Sequence, residues 1–154
     1  MSQNVWGSIT WLLFHSFAEK INEKHFAGIK DRFITFIKDT CFNLPCPICS
    51  NHALEVLKQS NMNLINTKAD MIEFLRQFHN IVNIKLDKPI IDKNYVITHY
   101  KNVNLIAVIR QFVKAYSHKY GNYEIKAFQR ANDRHLYLKG AITNINIILQ
   151  CCRT

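Results

Sequence analysis

Glycine and proline are scarce in this sequence, four and three in 154 residues. So few breakers leave room for long helices and none for low-complexity linkers. Acidic residues are few as well, 11 against 20 lysines and arginines, for a net charge of +9 with histidine neutral. The basic residues are scattered. No dense Lys/Arg block and no recognisable nucleic-acid motif stands out, so a nucleic-acid partner is not expected. No apolar run reaches the roughly 20 residues of a membrane-spanning helix, so no span is expected either. The N-terminus lacks a basic leader followed by a small-residue cleavage site, and no secretory signal is expected. Five cysteines are too few to staple a secreted scaffold of this length.

What is present is 48% hydrophobic, enough for a real core in one domain with an appendage. Ile9, Leu13, Phe17 and Ile21 make an apolar stripe on a first helix from Val5 to about Asn22. Trp11, His15 and Ala18 fall on a neighbouring face. Trp11 and His15 read as core residues or as the lining of a planar aromatic ligand. A second helix is expected over Ala27 to Thr40, with Cys41 at its end as a small buried hydrophobe. Thr67, with Asp70 three residues on, caps a helix from Lys68 to about Leu86. Residues 90–100 give mixed signals. A further helix is expected over Asn104 to Tyr120, with Gly121 as its stop. Residues 124–138 are polar and aromatic, Gly140 is a candidate break, and 141–149 are apolar and β-branched.

The most informative stretch is Asn43-Leu44-Pro45-Cys46-Pro47-Ile48-Cys49-Ser50-Asn51-His52. Asn43 is a candidate N-cap and Pro45 suits a first turn, so a helix starts here and runs to about Gln59. Cys46 then lies near unpaired N–H groups and the positive end of the helix dipole, which stabilise a thiolate. Cys49, one turn on, is close enough to close a disulfide. An exposed first sulfur and a sheltered second one suit thiol–disulfide exchange. Three readings stay open for the pair: a redox dithiol, half of a zinc site, or two core cysteines. Zinc wants four ligands; His52 is near, but no second CxxC or HxxxH follows.

The helix from Lys68 also carries His79, Asn80 and Asn83, then Lys85 and Lys88. Amides and imidazole suit ribose hydroxyls and adenine edges, and lysines suit a pyrophosphate. The bland alternative is the ordinary polar side of an amphipathic helix.

Three segments in order, Trp6-Gly7-x-x-Thr10-Trp11-x-x-x-His15, Pro45-Cys46-x-x-Cys49-x-x-His52 and His79-Asn80-x-Val82-Asn83-x-x-Leu86-x-Lys88, together resemble the FAD-dependent sulfhydryl oxidases of the Erv/ALR type. The size and the Asn/Ile/Lys-rich composition look like the copies carried by large DNA viruses. The resemblance implies an all-α fold: a four-helix bundle binding FAD, usually as a homodimer. It implies a cofactor core over 1–100 and a helical extension over 101–154. Cys46 and Cys49 would be the catalytic disulfide beside the flavin. Trp6, Gly7, Trp11, His15, His52, His79, Asn80, Asn83, Lys85 and Lys88 would hold FAD. Electrons would pass from thiols of protein substrates or a small redox carrier, through the CxxC pair and FAD, to molecular oxygen, giving hydrogen peroxide. Cys151 and Cys152 are the candidate shuttle cysteines, although adjacent cysteines bridge to each other only with strain. The expected location is the cytoplasm of a host cell, or a virion. The alternative from another class is a non-enzymatic interaction module with a Cys/His zinc site.

Overall fold

Helix α1 (Gln3–Lys20) is apolar on more than one side, and the rest of the chain is laid around it. In the computed structural model, which describes residues 3–117 and 125–153 (side chains of 5–117 and 135–153), Leu13, Phe14, Phe17 and Ala18 are almost fully buried. The flank that carries Trp11 and His15 packs toward α4 (Lys68–Lys85), and α6 (Leu105–Ser117) covers another. Helix α2 (Glu23–Phe42) packs against α3 (Pro47–Gln59) and α7 (Ile125–Leu149), and α6 packs against α7. A short helix, α5 (Lys93–His99), leans on α4. The described residues contain seven α-helices and no strand, so the all-α expectation holds.

One apolar cluster runs through this bundle, from Ile9 on α1 to Cys152 beyond α7. Phe14, Phe17, Phe26, Phe33, Phe36, Phe78 and Phe112 are its largest fully buried members, each worth about 1.5–3 kcal/mol of burial. Phe17 meets Phe33 and Phe36 edge-on, with ring centroids 5.9 and 6.1 Å apart.

Local signals explain most helix ends. The Thr67 hydroxyl accepts the Asp70 N–H at 3.1 Å, and the Asp70 carboxylate accepts the Thr67 N–H at 3.0 Å, the reciprocal cap expected from the sequence. Asp92 caps α5 by accepting the Tyr95 N–H at 2.7 Å. Helix α4 ends with Asp87 at φ 55°, where the Lys88 N–H reaches the Asn83 carbonyl at 2.8 Å. This is a left-handed stop with aspartate where glycine is commoner.

Two expectations fail. Asn43 does not cap α3: it closes the end of α2, its side chain donating to the Asp39 carbonyl at 2.7 Å. Cys46 is the N-cap and Pro47 the first helical residue. The other failure is Gly140, which does not break the C-terminal segment. Helix α7 runs through it, because Leu138, Ala141, Ile145 and Ile148 bury at helical spacing and outweigh one glycine's cost of about 1 kcal/mol. Tyr120 and Gly121 lie outside the described residues.

Candidate active site

Helix α3 begins at the disulfide. Cys46 is extended (φ −116°, ψ 114°) and Cys49 lies one turn on, with Cα atoms 5.2 Å apart and a bond between the two sulfurs. The Cys46 sulfur accepts the Cys49 backbone N–H at 3.3 Å. An N–H aimed at sulfur favours the thiolate once the bond is reduced. Both residues are half-buried, rather than one exposed and one sheltered. What separates them is direction. Cys49 lines a cavity of about 520 Å³ and Cys46 does not.

That cavity lies between α1, α3, α4 and α5. Trp6, Gly7, Thr10 and Trp11 line it from α1, and Cys49 and His52 from α3. Phe78, His79, Val82, Asn83 and Lys85 line it from α4, with Lys88 just beyond that helix. Trp11 stacks face to face on His79, centroids 4.2 Å apart and planes 8° apart. His15 stands behind that stack, buried, with Nε2 3.0 Å from His79 Nδ1. Burial, then the charges of His79 and His99, push the His15 pKa down to about 3. Burial and then Lys88 push that of His79 down to about 4. Both rings are therefore neutral near pH 7, and one donates to the other. His15 Nδ1 is buried without a partner. His52 is also shifted down, by desolvation and then Lys85.

Asn80, like His15, is not on the cavity wall. Its amide donates to the Ile91 carbonyl at 2.9 Å and its carbonyl accepts the Ile91 N–H at 2.8 Å. Asn83 donates to the Pro89 carbonyl at 3.1 Å while also lining the cavity. Together they staple the segment after α4 onto that helix. Lys88 and Pro89 are thereby held on the cavity wall.

Among the wall residues that sequence reasoning missed are Cys41, Tyr95, His99 and Tyr100. Tyr95 and His99 stack at 4.7 Å, and Tyr100 stacks on His15 at 4.6 Å. Tyr95 and His99 are four apart on one helix, a signal that was readable once residues 93–99 were recognised as helical. Cys41 is buried as expected, with its thiol pushed up to about 12 by burial, yet it reaches the cavity wall.

Cys151 and Cys152 are not brought to the CxxC pair. They follow α7 and sit where α1 ends: the Asn22 N–H donates to the Cys151 carbonyl at 2.8 Å, and Cys152 bridges Ile21. Among the described residues, no group of three or more His, Cys, Asp or Glu is placed to hold a metal ion. The zinc reading therefore finds no ligand set there. Among them, too, no helix is long and apolar enough to cross a membrane.

A helical bundle with a disulfide at a helix tip, facing an aromatic cavity with lysines on its wall, defines a class of cofactor-binding redox protein. The Erv1 / Alr family pattern matches residues 8–102, and the chain belongs to that family. A protein of African swine fever virus (isolate Tick/Malawi/Lil 20-1/1983) named FAD-linked sulfhydryl oxidase is 31% identical over 100 residues, 64% of this chain and 78% of that protein. Proteins of Invertebrate iridescent viruses 6 and 3, also named as FAD-linked sulfhydryl oxidases, are 28% and 26% identical over 97 and 98 residues. Those matches take in 59% and 63% of this chain, and 87% and 66% of the respective relatives. All three are proteins of large DNA viruses. No solved structure gives a significant match.

The residues present fit FAD. The walls are aromatic and flat, as a tricyclic ring requires, and Lys85 and Lys88 suit a diphosphate. The cavity volume lies within the roughly 300–1,000 Å³ usual for cofactor sites.

Proposed function

We propose that the chain is an FAD-linked sulfhydryl oxidase that makes disulfides in protein thiols. One observation carries the reading: Cys49, bonded to Cys46, lines the same cavity as Trp6, Trp11 and His79. Cys46 is the sulfur that a substrate thiolate attacks. The Cys46–Cys49 bond breaks, a mixed disulfide forms, and the electron pair passes to the Cys49 sulfur. The N–H donated to Cys46 favours its later release as a thiolate when a second substrate thiol resolves the mixed disulfide. The substrate leaves oxidised and the CxxC pair is left reduced. Bound FAD supplies a two-electron acceptor that hands the pair to molecular oxygen, giving hydrogen peroxide.

Trp6, Gly7, Trp11, His52, His79, Asn83, Lys85 and Lys88 are the contacts we assign to the cofactor. His15 and Asn80 act behind them, His15 by orienting His79 and Asn80 by holding the segment that carries Lys88. Neutral histidines at the ring end avoid a buried charge there, while the lysines offset the phosphates. We assign 1–100 as the cofactor core and 101–154 as an extension, with a homodimer as the assembly and a host cytoplasm or virion as the location. A shuttle role for Cys151 or Cys152 requires the tail to leave Ile21 first.

The visible absorption of the purified chain tests the reading. A yellow protein with a flavin spectrum, bleached by dithiothreitol without air and restored by air, is expected. A colourless protein carrying stoichiometric zinc would overturn it in favour of the zinc module.

A further inference from the structure

Two tyrosines of the C-terminal helices end on threonines of the two helices beneath them. The Tyr116 hydroxyl is 2.7 Å from Thr10 Oγ1, and the Tyr137 hydroxyl is 2.5 Å from Thr40 Oγ1. Each threonine also donates back along its own helix, Thr10 to the Trp6 carbonyl at 2.6 Å and Thr40 to the Phe36 carbonyl at 2.7 Å. A hydroxyl has one proton to give. Both threonines have spent theirs, so both tyrosines are the donors. The chains run Tyr116 to Thr10 to Trp6, and Tyr137 to Thr40 to Phe36.

Both threonines are buried, and Thr10 but not Thr40 lines the cavity. Thr10 and Trp6 line it, and Thr40 immediately precedes Cys41, which also lines it. Phenylalanine would bury nearly the same apolar area at either tyrosine position. What tyrosine adds is a directional bond that sets the height and rotation of the helix it meets. A threonine bonded back four residues also bends its helix slightly, so the bond acts on the turn that carries Trp6.

We infer that Tyr116 and Tyr137 are positioning residues for the cofactor cavity, fixing through Thr10 and Thr40 where α1 and α2 present its wall. This rests on the FAD reading above. It makes the C-terminal helices part of the site rather than an addition to it, although neither tyrosine touches the cavity.

The test uses the full chain with Tyr116→Phe, Tyr137→Phe, Thr10→Val, and Thr10→Val combined with Tyr116→Phe. FAD affinity is measured by titrating apoprotein, together with the visible spectrum of the bound flavin and the thermal midpoint of the apoprotein. Each tyrosine variant should bind FAD about two- to tenfold more weakly, the worth of one hydrogen bond, with a displaced flavin band. The double variant should bind no more weakly than Thr10→Val alone, because the tyrosine acts through that threonine. A lowered midpoint with unchanged FAD affinity and spectrum means a role in stability only and overturns the inference. Multiplying losses in the double variant overturn it as well. If the unaltered chain binds no FAD, the functional proposal falls and takes this one with it; unchanged binding by both tyrosine variants removes this one alone.

Discussion

The chain carries two close pairs of cysteines, and α1 keeps them apart. Cys49 lines the same cavity as Trp11, and Cys152 bridges Ile21, ten residues along and about 15 Å away by helical rise. At the first end sulfur meets backbone N–H: the Cys46 sulfur accepts from Cys49, and Cys49 opens onto a cavity. At the second end sulfur meets a carbonyl. Cys152 is buried, its thiol donates to the Ile148 carbonyl at 3.3 Å, and burial pushes its pKa to about 12. Lys20 and Lys68 pull that pKa down without reversing it. Sulfur chemistry follows from the neighbours: donors and an opening make a redox pair, while burial against an acceptor makes a small apolar anchor.

The sharpest way to break this contrast is to remove one sulfur of the first pair. Cys49→Ser should lower oxygen consumption with dithiothreitol by about a thousandfold or more, while the protein stays yellow. Full turnover in that variant would sink the electron route, because no other described thiol combines a disulfide partner with a place on the cavity wall.

The two ends also differ in their titratable neighbours. Neutral His15 and His79 stand at the first, with Lys85 and Lys88 on the cavity wall, and Lys20, Lys68 and Arg153 stand at the second. His15 has its ordinary pKa of 6.5 when unfolded and about 3 when folded. Between those values the unfolded chain binds more protons, so stability is full above pH 6.5 and is lost as pH falls. His15 alone should cost about 2 kcal/mol between pH 7 and pH 5. A thermal-midpoint series over that range should fall, and with His15→Asn it should fall less steeply, His79 still contributing. An identical slope in both proteins would show that the buried ring does not set the acid limit.

Much of this was legible in the sequence, for identifiable reasons. The three motif segments lie on α1, at the start of α3 and on the last turns of α4, so helical spacing made Trp11, Cys49 and His79 candidates and the family resemblance chose between their readings. The Thr67–Asp70 cap was readable because its partners are three residues apart. What failed depended on contacts between distant segments. Asn43 and Cys46 both make sound caps, and only the continuation of α2 by two residues, to Phe42, decides between them. Gly140 looks like a break until Leu138, Ala141 and Ile145 are seen to have a core to enter. Asn80 looks like a ligand contact because nothing in its neighbourhood foretells that Ile91 folds back onto it. Tyr95, His99 and Tyr100 were missed because residues 90–100 carry β-branched residues that obscure a short helix.

A smaller effect separates the two jobs of Cys46, as attacked sulfur and as helix cap. Cys46→Ser and Cys46→Ala should both end turnover. Serine oxygen can still accept the Cys49 N–H, whereas alanine leaves it unpaired, so denaturant unfolding should place Cys46→Ala about 1 kcal/mol below Cys46→Ser. Equal stabilities would mean that the 3.3 Å contact to sulfur contributes nothing to α3.

The least effect is expected at the other pair. Cys151→Ser combined with Cys152→Ala should leave oxidation of a reduced protein substrate within about twofold of the unaltered chain, and cost about 1 kcal/mol of stability at most. The reason is placement: Cys152 is held by Ile21 and Ile148, and the Arg153 N–H ties the last turn to the Lys20 carbonyl at 2.8 Å. For either sulfur to reach Cys46 on the same chain, those ties must open and the tail must travel about 15 Å back along α1. A tenfold loss with protein substrate, but none with dithiothreitol, would show that the tail does make that journey, or that it serves the CxxC pair of a second copy. The contrast between the two ends would then describe a resting state rather than a division of labour.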